Sequence, residues 1–170
     1  MNDQIPITSS GYEKIKHELK HLKTVERPAV INEIAEARAL GDLSENAEYH
    51  SAREKQGFIE GRIQELEDKM SRVSVIELPD SALTKVVFGS FVTVVETAED
   101  GRSERKTYQI VGDLEADIKA NRISISSPLA KALINKSVGE FATITLPKGD
   151  KDVEVAAVSA HDPGAAKGKK

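Results

Sequence analysis

"ALGDLSENAEYH", residues 39–50, separates two long stretches of helical periodicity and holds three carboxylates, Asp42, Glu45 and Glu48, within seven positions. Gly41, Asp42 and Ser44 are turn-forming residues, so the chain is expected to reverse here. A reversal makes the flanking stretches test each other, because residues equidistant from the turn must meet. Upstream, Ile15, Leu19 and Leu22 follow at gaps of four and three, and Val30, Ile34 and Ala37 repeat those gaps. Downstream, Ile59, Ile63, Leu66, Met70 and Val73 run at gaps of four, three, four and three, the apolar stripe of a coiled coil.

Folding about a point between Asp42 and Leu43 pairs Leu22 with Ile63, Leu19 with Leu66, Ile15 with Met70 and Tyr12 with Val73. Nearer the turn the register slips by one and pairs Ile34 with Ala52 and Ala37 with Tyr49. The slip coincides with an eight-residue gap from Leu22 to Val30 that contains Pro28. Proline removes a backbone donor, so a kink is expected there. The expectation is an antiparallel α-helical coiled-coil hairpin over residues 1–76, tipped by Gly41 to Ser44. Arms of some thirty residues make a finger roughly 45–50 Å long. Thr8 or Ser10 can cap the first helix, and Ser10 with Glu13 has capping-box spacing.

Beyond a linker at 77–83 the pattern changes to period two. "KVVFGSFVTVVET" (85–97), "RKTYQIVG" (105–112), "RISISS" (122–127), "EFATITL" (140–146) and "DVEVAAVS" (152–159) read as strands. One short helix interrupts them, with Ser127 as N-cap, Pro128 at its first position and Gly139 near its end. Residues 84–160 thus form a small α+β domain, a mostly antiparallel sheet around one helix. The tail, 161–170, is basic and of disordered composition.

The bulk properties exclude several functions. The 170 residues contain no cysteine and no tryptophan, and aromatics make up 4%. Thiol chemistry, disulfides and a large aromatic-lined pocket are therefore unavailable. The net charge of −4 is wrong for a protein that coats nucleic acid. No apolar run approaches the length of a membrane span, and a signal peptide is absent, so a cytoplasmic protein is expected.

Three groups of residues are candidate sites. "HELKH", His17 to His21, matches a zinc-peptidase signature, but His17 points off the apolar stripe, Lys16 and Lys20 flank it, and no third ligand is evident. It reads as two solvated histidines. Lys16, Lys20, Lys23 and Arg27 recur at helical spacing, with Arg53 and Arg62 on the second arm. They form either a solvated coiled-coil flank or a contact surface for RNA or an acidic partner. The tip acids also have two readings. Asp42 with Glu45 fits a capping box favoured by the helix dipole; alternatively Ser44 caps, and Asp42 and Glu45 are oxygen ligands for a hard cation such as Mg²⁺, too few to hold it alone. Arg38 is placed to pair with Glu48 across the hairpin.

Residues 36–63, "EARALGDLSENAEYHSAREKQGFIEGRI", closely resemble the hairpin tip of the bacterial Gre transcript cleavage factors, the GreA type in particular. "TSSGYEKIKHELKHLKTVERP", "VFGSFVTV" and "ISISSPLAKALINKSVGE" extend the likeness to about residue 160. The resemblance implies an FKBP-like C-terminal domain that docks on RNA polymerase, and a monomeric protein whose hairpin enters the secondary channel. Asp42 and Glu45 would then share Mg²⁺ with the polymerase and stimulate cleavage of the backtracked nascent RNA 3′ end. Arg38, Asn46, Glu48 and Tyr49 would support the tip. The protein would bind no cofactor alone and would not be an enzyme itself. Prolyl isomerase activity is not carried over, for want of aromatic residues. The competing expectation is a channel-binding regulator that does not cleave.

Overall fold

The computed structural model describes residues 4–42, 45–79, 82–98, 100–147 and 149–163. Leu43 and Ser44 of the turn, Asp80 and Ser81 of the linker, and the tail from residue 164 lie outside them. The chain divides into two compact units, one of residues 10–73 and one of residues 5–9 with 74 onward.

In the first unit, α1 (Ser9–His21) runs through a five-residue π-helical turn, Leu22–Glu26, into α2 (Arg27–Ala39), and α3 (Ala47–Met70) returns antiparallel to them. Leu22, Val30, Ile59, Ile63 and Leu66 are buried between the arms, with Ile15 and Leu19 packed against them. Ile34, Ala37 and Ala52 continue the seam toward the tip at 7%, 3% and 4% exposure. Toward the tip the seam is built with the smaller Ala37 and Ala52, and toward the root with Leu and Ile. Each buried aliphatic side chain contributes about 1.5–3 kcal/mol, so the seam outweighs the weak intrinsic helicity of either arm.

The eight-residue skip coincides with the π-helical turn that precedes Pro28. The Arg27 N–H bonds the Leu22 carbonyl, five residues back. A π turn holds one residue more than an α turn, so the surplus residue is taken up before Pro28 and the apolar stripe stays in phase. Pro28 itself sits in the first turn of α2, where its missing N–H costs least.

The second unit is a five-stranded sheet in the order β5-β4-β3-β7-β6. Its strands are β3 (Phe91–Thr97), β4 (Ser103–Val111), β5 (Arg122–Ser124), β6 (Phe141–Leu146) and β7 (Gly149–Ser159). All neighbours pair antiparallel except β4 with β5, which run parallel. Alternation puts Val92 and Val94 of β3, Tyr108 and Ile110 of β4, and Val153 and Val155 of β7 into one core. The short α4 (Pro128–Leu133) covers it with Ala130 and Leu133. Ser127 caps α4 as expected, accepting the Ala130 N–H at 3.2 Å. The helix stops before Gly139, because Asn135 turns left-handed (φ 67°) and its N–H bonds the Val86 carbonyl. The strand expected from Lys85 begins only at Phe91, since Gly89 (φ 86°) bends the chain.

A strand absent from the sequence reading precedes α1. β1 (Ile5–Thr8) pairs with β2 (Val73–Ile76) in a separate two-stranded sheet. The Glu115 carboxylate accepts the Thr8 N–H at 3.0 Å and the Thr8 hydroxyl, and also the Gly112 N–H at 3.2 Å. Thr8, expected as a helix cap, stands immediately before α1, and its hydroxyl also ties β1 to residues 112–115. A Cβ at Gly112 would lie 2.0 Å from the Pro6 carbonyl oxygen, so only glycine permits this approach. Residues 5–9, assigned by sequence to the hairpin, therefore belong with the second unit, and the unit boundary falls at Val73 and not at 76.

Candidate functional site at the hairpin tip

Helix α2 ends at Ala39, with the Leu40 and Gly41 N–H groups bonding the carbonyls of Ala37 and Arg38 at 3.1 and 3.2 Å. Gly41 takes φ 114°, a conformation that disfavours side chains, with nothing within 4 Å of a Cβ there. Leu40 is 67% exposed. Asp42 and Glu45 are exposed and flank the two turn residues outside the described set.

The N-cap of α3 is Asn46, whose side chain accepts the Tyr49 N–H at 3.0 Å. The cap of this helix is thus Asn46 and not the Asp42–Glu45 capping box considered from sequence; Ser44, the other candidate, lies outside the described residues. Glu48 lies in the first turn of α3, where the helix dipole favours its charge. Asn46 also donates from Nδ2 to the Ala37 carbonyl at 2.6 Å, joining the arms. The Asn-Ala-Glu-Tyr spacing was a legible cap signal; the bond to Ala37 had no sequence signal.

Arg38 does not pair with Glu48. Its guanidinium carbon lies 5.9 Å from the centre of the Tyr49 ring, a cation–π contact across the hairpin. The Tyr49 ring also meets His50 edge-on, with centroids 5.6 Å apart. Arg38, Asn46 and Tyr49 thus come together, while Asp42, Glu45 and Glu48 face solvent.

The basic stripe divides into two groups. Arg27 grips Glu60 with two bonds of 2.7 and 2.9 Å, and Lys23 pairs with Glu67 at 3.1 Å. Arg62 bonds Glu18 at 2.8 and 3.2 Å and reaches Glu65 at 3.2 Å. The Glu60 bond raises the Arg27 pKa, and the same bond holds Glu60 below the usual carboxylate range. Arg53 bonds Gln56 on its own helix at 3.0 Å. For Lys23, Arg27 and Arg62 the pairings account for the spacing as a coiled-coil flank. Lys16 and Lys20 are exposed, and among the described residues the ion pairs of the hairpin do not include them.

His17 and His21 are both exposed on α1. Among the described residues, no group of three His, Cys, Asp or Glu side chains is placed to hold a metal ion. No helix among them is long and apolar enough to cross a membrane. In the second unit Phe88 and Tyr108 are in the interior at 8% and 6% exposure, and Phe141 is 63% exposed.

Residues 5–75 match the family model described as transcription elongation factor, N-terminal, and residues 80–160 match that of the GreA/GreB C-terminal domain. The chain is 55% identical over 158 residues to transcription elongation factor GreA of Rickettsia felis, covering 93% of this chain and 96% of that protein. It is 56% identical to GreA of Xanthomonas axonopodis pv. citri, covering 92% and 98%. Among solved structures it is similar to GreA factor homolog 1 (Gfh1) of Thermus thermophilus, 27% identical over 94% of this chain and 99% of that one, with a TM-score of 0.41. On two adjoining family matches that cover most of its length, the chain belongs to the GreA/GreB family of transcription elongation factors.

Proposed function

We propose that this elongation factor inserts its helical hairpin into the secondary channel of RNA polymerase and stimulates cleavage of backtracked nascent RNA. The observation that carries this reading is the division of labour at the tip. Asn46 caps α3, and Asp42 and Glu45 are exposed at the turn of a hairpin whose first arm, Ser9–Ala39, rises about 45 Å. Two exposed carboxylates offer hard oxygen donors that suit Mg²⁺, yet fall short of its octahedral shell. That donor set fits an ion shared with a partner's acidic site and not one owned by this chain.

Asp42 and Glu45 would hold Mg²⁺ jointly with polymerase carboxylates, where the ion supplies activation of water for phosphodiester hydrolysis. The chain's own contribution is placement. The seam between the arms holds the two helices together, the Asn46 cap fixes where α3 begins, and Arg38 over Tyr49 packs the side of the tip. The second unit would dock on the polymerase outside the channel, a single copy of the chain being enough. The factor acts in the cytoplasm, where the polymerase is, and the hydrolytic activity stays with the polymerase. Of the basic candidates, Lys16, Lys20 and Arg53 lie outside the cross-arm pairs among the described residues and are the ones left to meet RNA or the channel wall.

The test is transcript cleavage by stalled, backtracked elongation complexes. Asp42→Asn and Glu45→Gln keep shape and remove charge. Each should lower the stimulated rate roughly 10²-fold, the scale of losing one electrostatic stabiliser of a transition state, with polymerase binding retained. Full cleavage by both variants would leave a factor that only occupies the channel.

A further inference from the structure

Asn46 performs two functions with one amide. Its Oδ1 accepts the Tyr49 N–H and caps α3, while its Nδ2 donates to the Ala37 carbonyl in the last turn of α2. The Ala37 carbonyl also accepts the Leu40 N–H at 3.1 Å, so the end of α2 and the start of α3 meet at one oxygen. The last carbonyls of a helix lack partners within it, and here the opposite arm supplies one. The bond closes the segment from Ala37 to Asn46, which contains both Asp42 and Glu45. Closing a short loop removes much of its conformational freedom.

The chemistry of this position is narrow. A helix cap alone is served about equally by Asn, Asp and Ser. A carboxylate has no donor for Ala37, and a serine hydroxyl is one bond shorter than the amide nitrogen. Only a side-chain amide carries a donor and an acceptor on one carbon. The Arg38–Tyr49 stack also joins the arms, but a cation over a ring at 5.9 Å has little directional hold on the loop.

We propose that Asn46 is a positioning residue for the acid pair: its hydrogen bond to Ala37 across the arms sets the spread of the turn and thereby the affinity of the tip for the shared Mg²⁺. The inference rests on the cleavage reading above. It assigns to Asn46 an action on Asp42 and Glu45 separate from starting a helix.

Asn46→Ser and Asn46→Ala separate the two functions, because serine keeps the cap and loses the bond to Ala37, whereas alanine loses both. In cleavage assays across a Mg²⁺ titration, both variants should raise the half-saturating Mg²⁺ about three- to tenfold, the scale of one hydrogen bond. Saturating Mg²⁺ should restore most of the rate. In the isolated protein without metal, amide hydrogen exchange at Leu40 and Gly41 should quicken severalfold in both variants. At Tyr49 it should quicken only in the alanine variant. A serine variant matching the wild type in Mg²⁺ dependence and in exchange at Leu40 and Gly41 would reduce Asn46 to a cap and overturn the inference. So would a loss of rate that no Mg²⁺ concentration relieves. A wild-type protein that stimulates no cleavage would instead overturn the cleavage reading, and the exchange measurement would still decide whether the clasp exists.

Discussion

Glu96 shows how a single residue can be structural even where its chemistry suggests a site. It is 8% exposed on β3, bonded by Lys151 at 2.9 Å and by the Tyr108 hydroxyl at 3.4 Å, with Lys106 at 3.7 Å. Burial opposes its charge, but Lys151 and then Lys106 outweigh burial and hold its pKa below the ordinary 4.5. Burial and the Glu96 charge push the Tyr108 hydroxyl up to about 12. A depressed carboxyl pKa contributes stability that is present above the unfolded value and lost as pH falls through the folded one. Glu96→Gln should therefore destabilise the protein by roughly 1–2 kcal/mol at pH 7. Thermal unfolding should show that difference shrinking below about pH 4.5, where the wild type loses the same charge; a difference that persists at low pH would point to packing. At this scale the acids of the tip were legible, because carboxylates crowded into a turn stand out in any sequence. The partner of Arg38 was not. Tyr49 and Glu48 are adjacent in the sequence, and only the helix phase decides which one the guanidinium meets. The donor half of Asn46 was hidden for the same reason, since its acceptor is a backbone carbonyl.

At the scale of elements, the π turn joins two facts that the sequence presented separately, the eight-residue skip and Pro28. A plain α-helix through this region would press the proline ring against the carbonyl four residues back, at a cost of ~3 kcal/mol. The widened turn relieves that clash and absorbs the extra residue together. Deleting Thr24 should restore heptad spacing but bring the clash back, lowering stability by up to about 3 kcal/mol. Adding Pro28→Ala to the deletion should recover the loss, as read by helical circular dichroism on heating. If the deletion alone is neutral, the π turn is not an accommodation of Pro28. Leu66, 2% exposed in the seam, provides the reference: Leu66→Ala should cost about 2–4 kcal/mol by leaving a cavity. The skip was readable in the sequence, but periodicity alone does not say that a π turn is what absorbs it. β1 escaped notice because four residues including Pro6 give no alternation to detect.

At the scale of the whole molecule, residues that begin the chain complete its second unit. Glu115 gathers the N–H groups of Thr8 and Gly112 and the Thr8 hydroxyl, and Gly112 leaves room for the Pro6 carbonyl. Gly112→Ala should force these segments apart and cost about 2–3 kcal/mol, with amide exchange in Ile5–Thr8 rising well above that of β3. Unchanged exchange there would show that the close approach does not hold β1 in place. The hairpin, the strands and the short capped helix were legible because each follows a local period. The allegiance of the N-terminal segment was not, because it depends on a contact between residues 107 positions apart.

The family and the hairpin together lead to one central claim, that Asp42 and Glu45 act in the polymerase active centre from the end of the finger. The most direct measurement is the rate of transcript cleavage in backtracked elongation complexes with wild-type protein and with Asp42→Asn, alongside polymerase binding. The claim predicts that binding is unchanged and that stimulated cleavage falls roughly 10²-fold. Wild-type cleavage rates with the Asp42→Asn protein bound would contradict it.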